Sequence, residues 1–136
     1  MVVVSTRADE RHGVGSLVVA HDFRVAGWRV RERPGIEDHA LLEMVAVERV
    51  ALLGFSVGSL DGLDALSPLI GALRAKSRNA DLRVTIGGAA ALASPPRAMA
   101  AGADFVARDG RDAARLARAY LSSGVGAEMI DGIEAQ

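Results

Sequence analysis

The 136-residue chain is half apolar and carries 16 basic against 17 acidic residues, for a net charge of −1. This balance argues against direct nucleic-acid binding, which usually needs a basic excess on one face, and the absence of cysteine excludes disulfides, thiolate metal sites and a cysteine nucleophile. No apolar run approaches the roughly 20 residues that span a bilayer, and the first residues lack the basic flank of a signal peptide, so we expect a cytoplasmic protein that contacts no membrane.

Short apolar runs alternate with amphipathic stretches along the chain, the pattern of repeated strand–helix units. The runs predict five strands, at 2–5, 28–31, 50–55, 82–86 and 104–107. The amphipathic stretches predict five helices, at 14–25, 36–45, 63–73, 95–101 and 113–120. Gly27 is expected to end the first helix, Pro34-Gly35 to form a turn and Gly87-Gly88 to stop the fourth strand.

This alternation predicts an α/β fold of the flavodoxin-like kind: a doubly wound, five-stranded parallel sheet in the order 2-1-3-4-5, between two layers of helices. We predict one domain at 1–123 and a flexible C-terminal tail at 124–136. A ligand should bind beyond the carboxyl ends of the strands, beside the switch point between strands one and three. The segments expected at that edge are Arg7–Gly15, Ser56–Leu60, Gly87–Ala90 and Asp109–Gly110.

Glycines and a single histidine follow the strands at this edge. Glycine lets backbone come close to a bulky ligand, and the neutral imidazole of His12 can ligate a metal. Glu10, two residues earlier, can hydrogen-bond the other ring nitrogen and fix the tautomer. The plainer alternatives are that His12 is an ordinary loop histidine, that Gly87-Gly88 is only a turn, and that Asp109 only caps the last helix.

Three fragments at fixed spacing resemble the cobalamin-binding pattern D-x-H-x-x-G … S-x-L … G-G. Glu10-x-His12-x-x-Gly15 is followed after 40 residues by Ser56-x-Gly58, and after 28 more by Gly87-Gly88. The resemblance implies that His12 displaces the benzimidazole base of cobalamin and binds cobalt as its lower axial ligand, with Glu10 as its hydrogen-bond partner. It also implies a channel for the freed nucleotide tail. The implied cofactor-binding residues are Glu10, His12, Gly13, Gly15, Ser56, Val57, Gly58, Gly87, Gly88 and, at the rim, Asp109.

The chain departs from this pattern at two positions, where Glu10 replaces Asp and Gly58 replaces Leu. Because Gly58 leaves room for a different tetrapyrrole, haem ligated by His12 is the alternative cofactor. The sequence from Glu10 to Val30 is similar to the domain of light- and oxygen-responsive bacterial regulators. These include regulators of photosynthesis genes in purple bacteria, cobalamin photoreceptor repressors and sensors that contain haem. The resemblance implies a sensory domain that acts in transcription regulation through a partner regulator protein.

No paired carboxylates, Ser/His/Asp set or further metal ligands accompany His12 in the sequence, so we expect no catalysis by this domain alone. Two other hypotheses stay open. One is a corrinoid-carrying subunit of a mutase or methyltransferase, whose chemistry lies in a partner. The other is a degenerate domain that binds no cofactor and serves as an interaction module.

Overall fold

The computed structural model describes residues 1–7 and 14–121, which form a parallel sheet between two layers of helices. The strands are β1 (Val2–Arg7), β2 (Val30–Ile36), β3 (Leu52–Ser56), β4 (Arg83–Gly87) and β5 (Phe105–Val106). They pair in parallel throughout, in the order β2-β1-β3-β4-β5. The predicted flavodoxin-like fold and its strand order are therefore confirmed.

Helices cover both faces of this sheet. They are α1 (Val14–Val25), α2 (Asp38–Val47), α3 (Leu60–Lys76), α4 (Ala89–Ala93), α5 (Pro95–Ala100) and α6 (110–121). Successive strand residues point to opposite faces: Val3 and Leu53 pack under α2–α5, whereas Val2 and Leu52 pack under α1 and α6. Each face therefore has its own apolar core, and β3, at the centre, is buried on both sides.

The ends of α1 and α3 follow from their sequences. Gly27, with φ of 99°, ends α1 as predicted, and the amides of Gly27 and Trp28 donate to the carbonyls of Arg24 and Phe23. Ser59 caps α3, because its hydroxyl accepts a hydrogen bond of 3.1 Å from the Gly62 amide. The apolar face predicted for α3 is buried throughout: Leu63, Leu66, Leu69, Ile70 and Leu73.

The turn predicted at Pro34-Gly35 is wrong, because β2 runs through both residues to Ile36. The register explains the difference: Ser5 pairs with Arg33 and Arg7 with Ile36, so β2 carries one residue more than β1 between these pairs. Pro34 lacks an amide proton and is tolerated because β2 is an edge strand. The dipeptide therefore forms a β-bulge, and α2 begins only at Asp38.

Other bounds also differ from prediction: the second strand was expected at 28–31 but is Val30–Ile36, and the third was expected at 50–55 but is Leu52–Ser56. Arg7 was expected to start the first loop but is the last residue of β1. The helix α4 (Ala89–Ala93) was not predicted, since its alanine-rich sequence has no amphipathic contrast, although alanine has the highest helix propensity. Glu10, His12, Gly13 and the predicted tail at 124–136 lie outside the described residues. In the part of the chain that is described, no helix is long and apolar enough to cross a membrane.

Candidate cofactor-binding site

The carboxyl ends of the strands bring together the segments that the sequence placed at one edge. Ser56 ends β3, Gly87 ends β4, and the two residues are paired in register. Asp109 follows β5, and Gly15 lies in the first turn of α1, which starts at the same edge. Because β1 and β3 are neighbours while β2 lies on the other side of β1, the topological switch point falls here.

A narrow pocket opens at this edge between the sheet and the helices α1 and α6. Its volume is about 60 Å³, which corresponds to roughly two water molecules at their volume in the liquid. The residues that line it are Val4, Val19, Gly54, Phe55, Ser56, Thr85, Gly87, Gly88, Ala107, Arg108, Asp109 and Ala113. It therefore includes four of the predicted cofactor-binding residues: Ser56, Gly87, Gly88 and Asp109.

The pocket exists because side chains shrink along the strands on this face of the sheet. On β3 the face that carries Leu52 continues with Gly54 and then Ser56. At β5 the same face passes from Phe105 to Ala107, and both residues are buried. Large apolar side chains fill this face near the start of the strands, but only small ones lie near the carboxyl ends. A slot therefore remains there under α1 and α6.

The loops after β3 and β4 are hydrogen-bonded to each other. The Val57 amide donates to the Gly87 carbonyl at 3.0 Å, and the Val57 carbonyl accepts from the Ala90 amide at 3.2 Å. The Val57 side chain is buried in the core under α2–α5, and Gly58 is exposed; neither lines the pocket. Of the three predicted residues Ser56, Val57 and Gly58, Ser56 alone lines the pocket.

Asp109 caps α6, as the plainer alternative proposed, and also lines the pocket. Its carboxylate accepts a hydrogen bond of 2.8 Å from the Asp112 amide. Asp112 in turn accepts from the Arg108 amide at 3.0 Å and from the Arg115 guanidinium at 2.7 Å. These bonds, the Arg108 amide first, lower the pKa of Asp112 from 3.8 to about 2. The rim formed by Arg108 and Asp109 is thus fixed to the first turn of α6.

Arg7, the last described residue before the segment at 8–13, is held by a paired contact. Its Nε and a terminal nitrogen lie 3.2 and 2.7 Å from the two carboxylate oxygens of Asp38, in the first turn of α2. A second terminal nitrogen lies 3.4 Å from the Ala65 carbonyl of α3. The chain therefore leaves β1 for Glu10 and His12 from an anchored position.

Sequence reasoning missed most of the pocket wall. The missed residues are Val4, Val19, Gly54, Phe55, Thr85, Ala107, Arg108 and Ala113. Gly54, inside an otherwise bulky apolar run, was the one available signal, because a glycine in a central strand marks a close approach. Among the described residues, no group of three or more His, Asp or Glu side chains could hold a metal ion.

A doubly wound sheet with a slot at its switch point defines a cofactor- or ligand-binding α/β domain. Residues 1–118 match the family model described as the B12 binding domain. The chain belongs to this family, a cobalamin- or corrinoid-binding one. No curated protein matches the sequence at a significant level.

Solved structures resemble this fold at low sequence identity. A cobalamin-binding protein from Desulfitobacterium hafniense DCB-2 is 20% identical, with a TM-score of 0.78, over 88% of this chain and 58% of its own. The monomethylamine corrinoid protein of Methanosarcina barkeri is also 20% identical, with a TM-score of 0.73, over 85% and 55%. An atypical orphan response regulator is 14% identical, with a TM-score of 0.57, over 89% and 95%. This chain thus spans a little over half the length of the two cobalamin and corrinoid proteins, and nothing in these descriptions favours haem.

Proposed function

We propose that this domain binds a corrinoid at the carboxyl edge of its sheet, with His12 as the lower axial ligand of cobalt and Glu10 as the hydrogen-bond partner of His12. The observation that carries the proposal is the slot between Ser56 and Gly87, at the switch point where the family pattern requires a channel. The freed nucleotide tail of the cofactor occupies that slot in this proposal. Bound cobalamin would supply a cobalt centre whose upper ligand can be exchanged or lost.

The described residues fit such a tail in two respects. A side-chain carbon on Gly87 would meet nothing nearer than the Ala107 carbonyl oxygen, at 3.9 Å, so the absent side chain leaves open space. The Ser56 hydroxyl makes no hydrogen bond to the described residues and is half-buried at the mouth of the slot. It is available to a polar group of the tail. The volume of about 60 Å³ is smaller than such a tail, so in this proposal the slot widens between α1 and α6 as the tail enters.

The biological role that we propose is sensory. A change at the upper face of the metal (photolysis, oxidation or ligand loss) alters the segment at 8–13 and then α1, and so biases a contact with a partner regulator protein. The support is the resemblance of the sequence from Glu10 to Val30 to bacterial light- and oxygen-responsive regulators. The anchored end of β1 also favours it, because Arg7 keeps one end of the segment fixed while α1 follows directly at the other.

Absorption spectroscopy tests the cofactor and its ligand together. Purified protein is mixed with hydroxocobalamin and, separately, with haemin, as wild type, His12→Ala and His21→Ala. His21 is exposed on α1 and serves as the matched control. We expect a shifted cobalamin spectrum for wild type and His21→Ala that is lost in His12→Ala. A His12-dependent shift with haemin alone would assign haem instead, and no shift with either would favour the degenerate interaction module.

A corrinoid-carrying subunit of a methyltransferase is the second candidate, suggested by the fold that this chain shares with the Methanosarcina barkeri corrinoid protein. Its chemistry would lie in a partner enzyme. It predicts that the cobalamin-loaded protein co-purifies with a methyltransferase and supports methyl transfer when the two are recombined. The sensory proposal instead predicts a partner that binds or dissociates when the upper ligand of the cofactor changes, without turnover.

A further inference from the structure

A groove of about 350 Å³ lies on the outer surface between α1 and α6, the two helices that cover the cofactor slot. Its residues are Asp22, Val25, Ala26, Arg111, Ala114, Arg115 and Arg118. The four from α6 follow the spacing i, i+3, i+4 and i+7, so they occupy one face of that helix. The groove is therefore a continuous strip along α6 and not a chance gap.

The charge of this strip is predominantly positive. Three arginines face one aspartate, and Arg111 has no carboxylate within ion-pair distance among the described residues. Arg118 donates to the Ala26 carbonyl, at 3.1 Å, and Arg115 is paired with Asp112. Among residues 1–7 and 14–121, at least two of the three guanidinium groups therefore have no carboxylate partner.

An apolar surface lies between these charges. Val25 is 74% exposed at the end of α1, and Ala26 and Ala114 lie beside it in the groove. An exposed branched side chain beside Arg111 and Arg118 suits a segment that is both acidic and apolar.

The sequence carries such a segment directly after α6. The residues from 122 to 136 include three acids, Glu128, Asp131 and Glu134, and no base. The acids follow one another at every third position from 128 to 134. The apolar residues Met129, Ile130 and Ile133 lie between them. The charge and apolar content of this stretch thus complement those of the groove.

The residues between α6 and the acidic segment are long enough to let that segment reach the groove. Arg111 and Arg118 are seven residues apart on α6, which corresponds to about 10 Å along the helix axis. The six residues at 122–127 can span about 20 Å, and they include Gly124 and Gly126, which ease a reversal of the chain. A segment that returns from the end of α6 runs antiparallel to it, so it passes Arg118 first and Arg111 last.

We propose that the acidic segment 128–134 docks in the groove between α1 and α6 of its own chain, with Glu128 towards Arg118 and Glu134 towards Arg111. Met129, Ile130 and Ile133 then cover Val25. Because α1 forms one wall of the groove, the docked segment is in contact with the helix that follows the segment at 8–13. A change at the cofactor edge can therefore be transmitted to the C-terminal segment through α1.

The absence of cysteine allows a direct test on the full chain. A nitroxide label is attached to Ala135→Cys, and the broadening of backbone amide signals is measured by NMR. We expect the signals of Ala26, Ala114 and Arg118 to broaden far more than that of Gly71. Gly71 is exposed on α3, which covers the opposite face of the sheet. Arg111→Glu or the pair Glu128→Lys/Asp131→Lys should at least halve the broadening. Arg29→Glu, an exposed charge outside the groove, should leave it unchanged.

Mixing separates the possible occupants. Protein that carries the nitroxide but no nitrogen-15 is mixed with protein that carries nitrogen-15 but no nitroxide. In this mixture, only contacts between two chains cause broadening. Broadening that is lost in this mixture supports the proposal. Broadening that persists at the groove in the mixture would mean that a second copy supplies the segment. Broadening in the unmixed sample that is no greater at the groove than at Gly71 would mean that the groove serves another partner. Either result overturns the proposal. The test needs no cofactor, so it stands or fails independently of corrinoid binding.

Discussion

Gly88 lies so close to Val57 that a side-chain carbon on it would stand 2.6 Å from the Val57 carbonyl oxygen and 2.9 Å from the Val57 amide nitrogen. Gly88 also has a φ of 93°, which side chains disfavour. The protein's own backbone therefore requires the second glycine of the pair, whereas Gly87 has open space before it. The two glycines have different roles: Gly88 lets two loops meet, and Gly87 leaves the slot open.

Replacing Gly88 by Ala should destabilise the protein by about 1–3 kcal/mol, because the new carbon strains the backbone and collides with the Val57 loop. Urea unfolding followed by circular dichroism measures the change. Gly87→Ala is the control and should shift the unfolding free energy by about 0.5 kcal/mol or less, since its carbon makes ordinary contacts. Equal urea midpoints for the two variants would contradict the close approach of the loops.

Filling the slot from Gly87 should weaken corrinoid binding without unfolding the protein. A Gly87→Leu side chain would project into the slot that lies between the sheet and α1. We expect at least a tenfold rise in the dissociation constant for hydroxocobalamin, which equals about 1.4 kcal/mol. Gly71→Leu, at an exposed α3 position with nothing within 4 Å, is the matched control. If both variants bind as wild type does, the nucleotide tail does not use this slot.

Asp112 should make stability fall at acid pH. Its folded pKa of about 2 is below the ordinary value of 3.8, so the unfolded chain takes up the proton first as the pH falls. The contribution of about 2 kcal/mol is present above pH ~5 and is lost between that pH and about 2. Asp112→Asn should remove it at pH 7 and flatten this part of the pH profile.

The measurement is urea unfolding of wild type and Asp112→Asn at several pH values from neutral to acid. Asp81→Asn, an exposed aspartate in the loop before β4, provides the control and should follow wild type throughout. A wild-type profile that is parallel to that of Asp112→Asn across the acid range would show that Arg108 and Arg115 do not stabilise this carboxylate.

The elements and the strand order could be predicted from the sequence because buried parallel strands and amphipathic helices have distinct apolar periods. The apolar residues of the helix predicted at 63–73 are buried in α3. The sequence pattern predicted the wrong local structure where strand pairing determines the backbone conformation. Pro34-Gly35 reads as a turn locally, and only its pairing with β1 makes it a bulge.

The site was predictable in position but not in shape. Spacing identified Ser56, Gly87 and Gly88 at one edge, because the ends of parallel strands meet there. It could not identify Thr85 or Ala107 as wall residues, since these matter only through the face of the sheet to which they point. Nor could it distinguish Gly88 from Gly87, whose difference depends on the contact of Gly88 with Val57, in a loop distant in sequence. The roles of Glu10 and His12 stay predictions.

The contact of Arg7 with Asp38 should be worth little in stability and more in cofactor binding. Both side chains are partly exposed, at 24% and 44%, so a double-mutant cycle of Arg7→Met and Asp38→Asn should give a coupling energy of about 0.5–1 kcal/mol. Cobalamin affinity should fall further in Arg7→Met, by about tenfold, because the segment that carries His12 then leaves β1 from an unanchored residue. Isothermal titration with hydroxocobalamin measures that fall, with Arg97→Met, which breaks the similarly exposed pair with Asp64 far from the slot, as the control. Equal affinity losses in the two variants would mean that Arg7 acts only as one more surface charge.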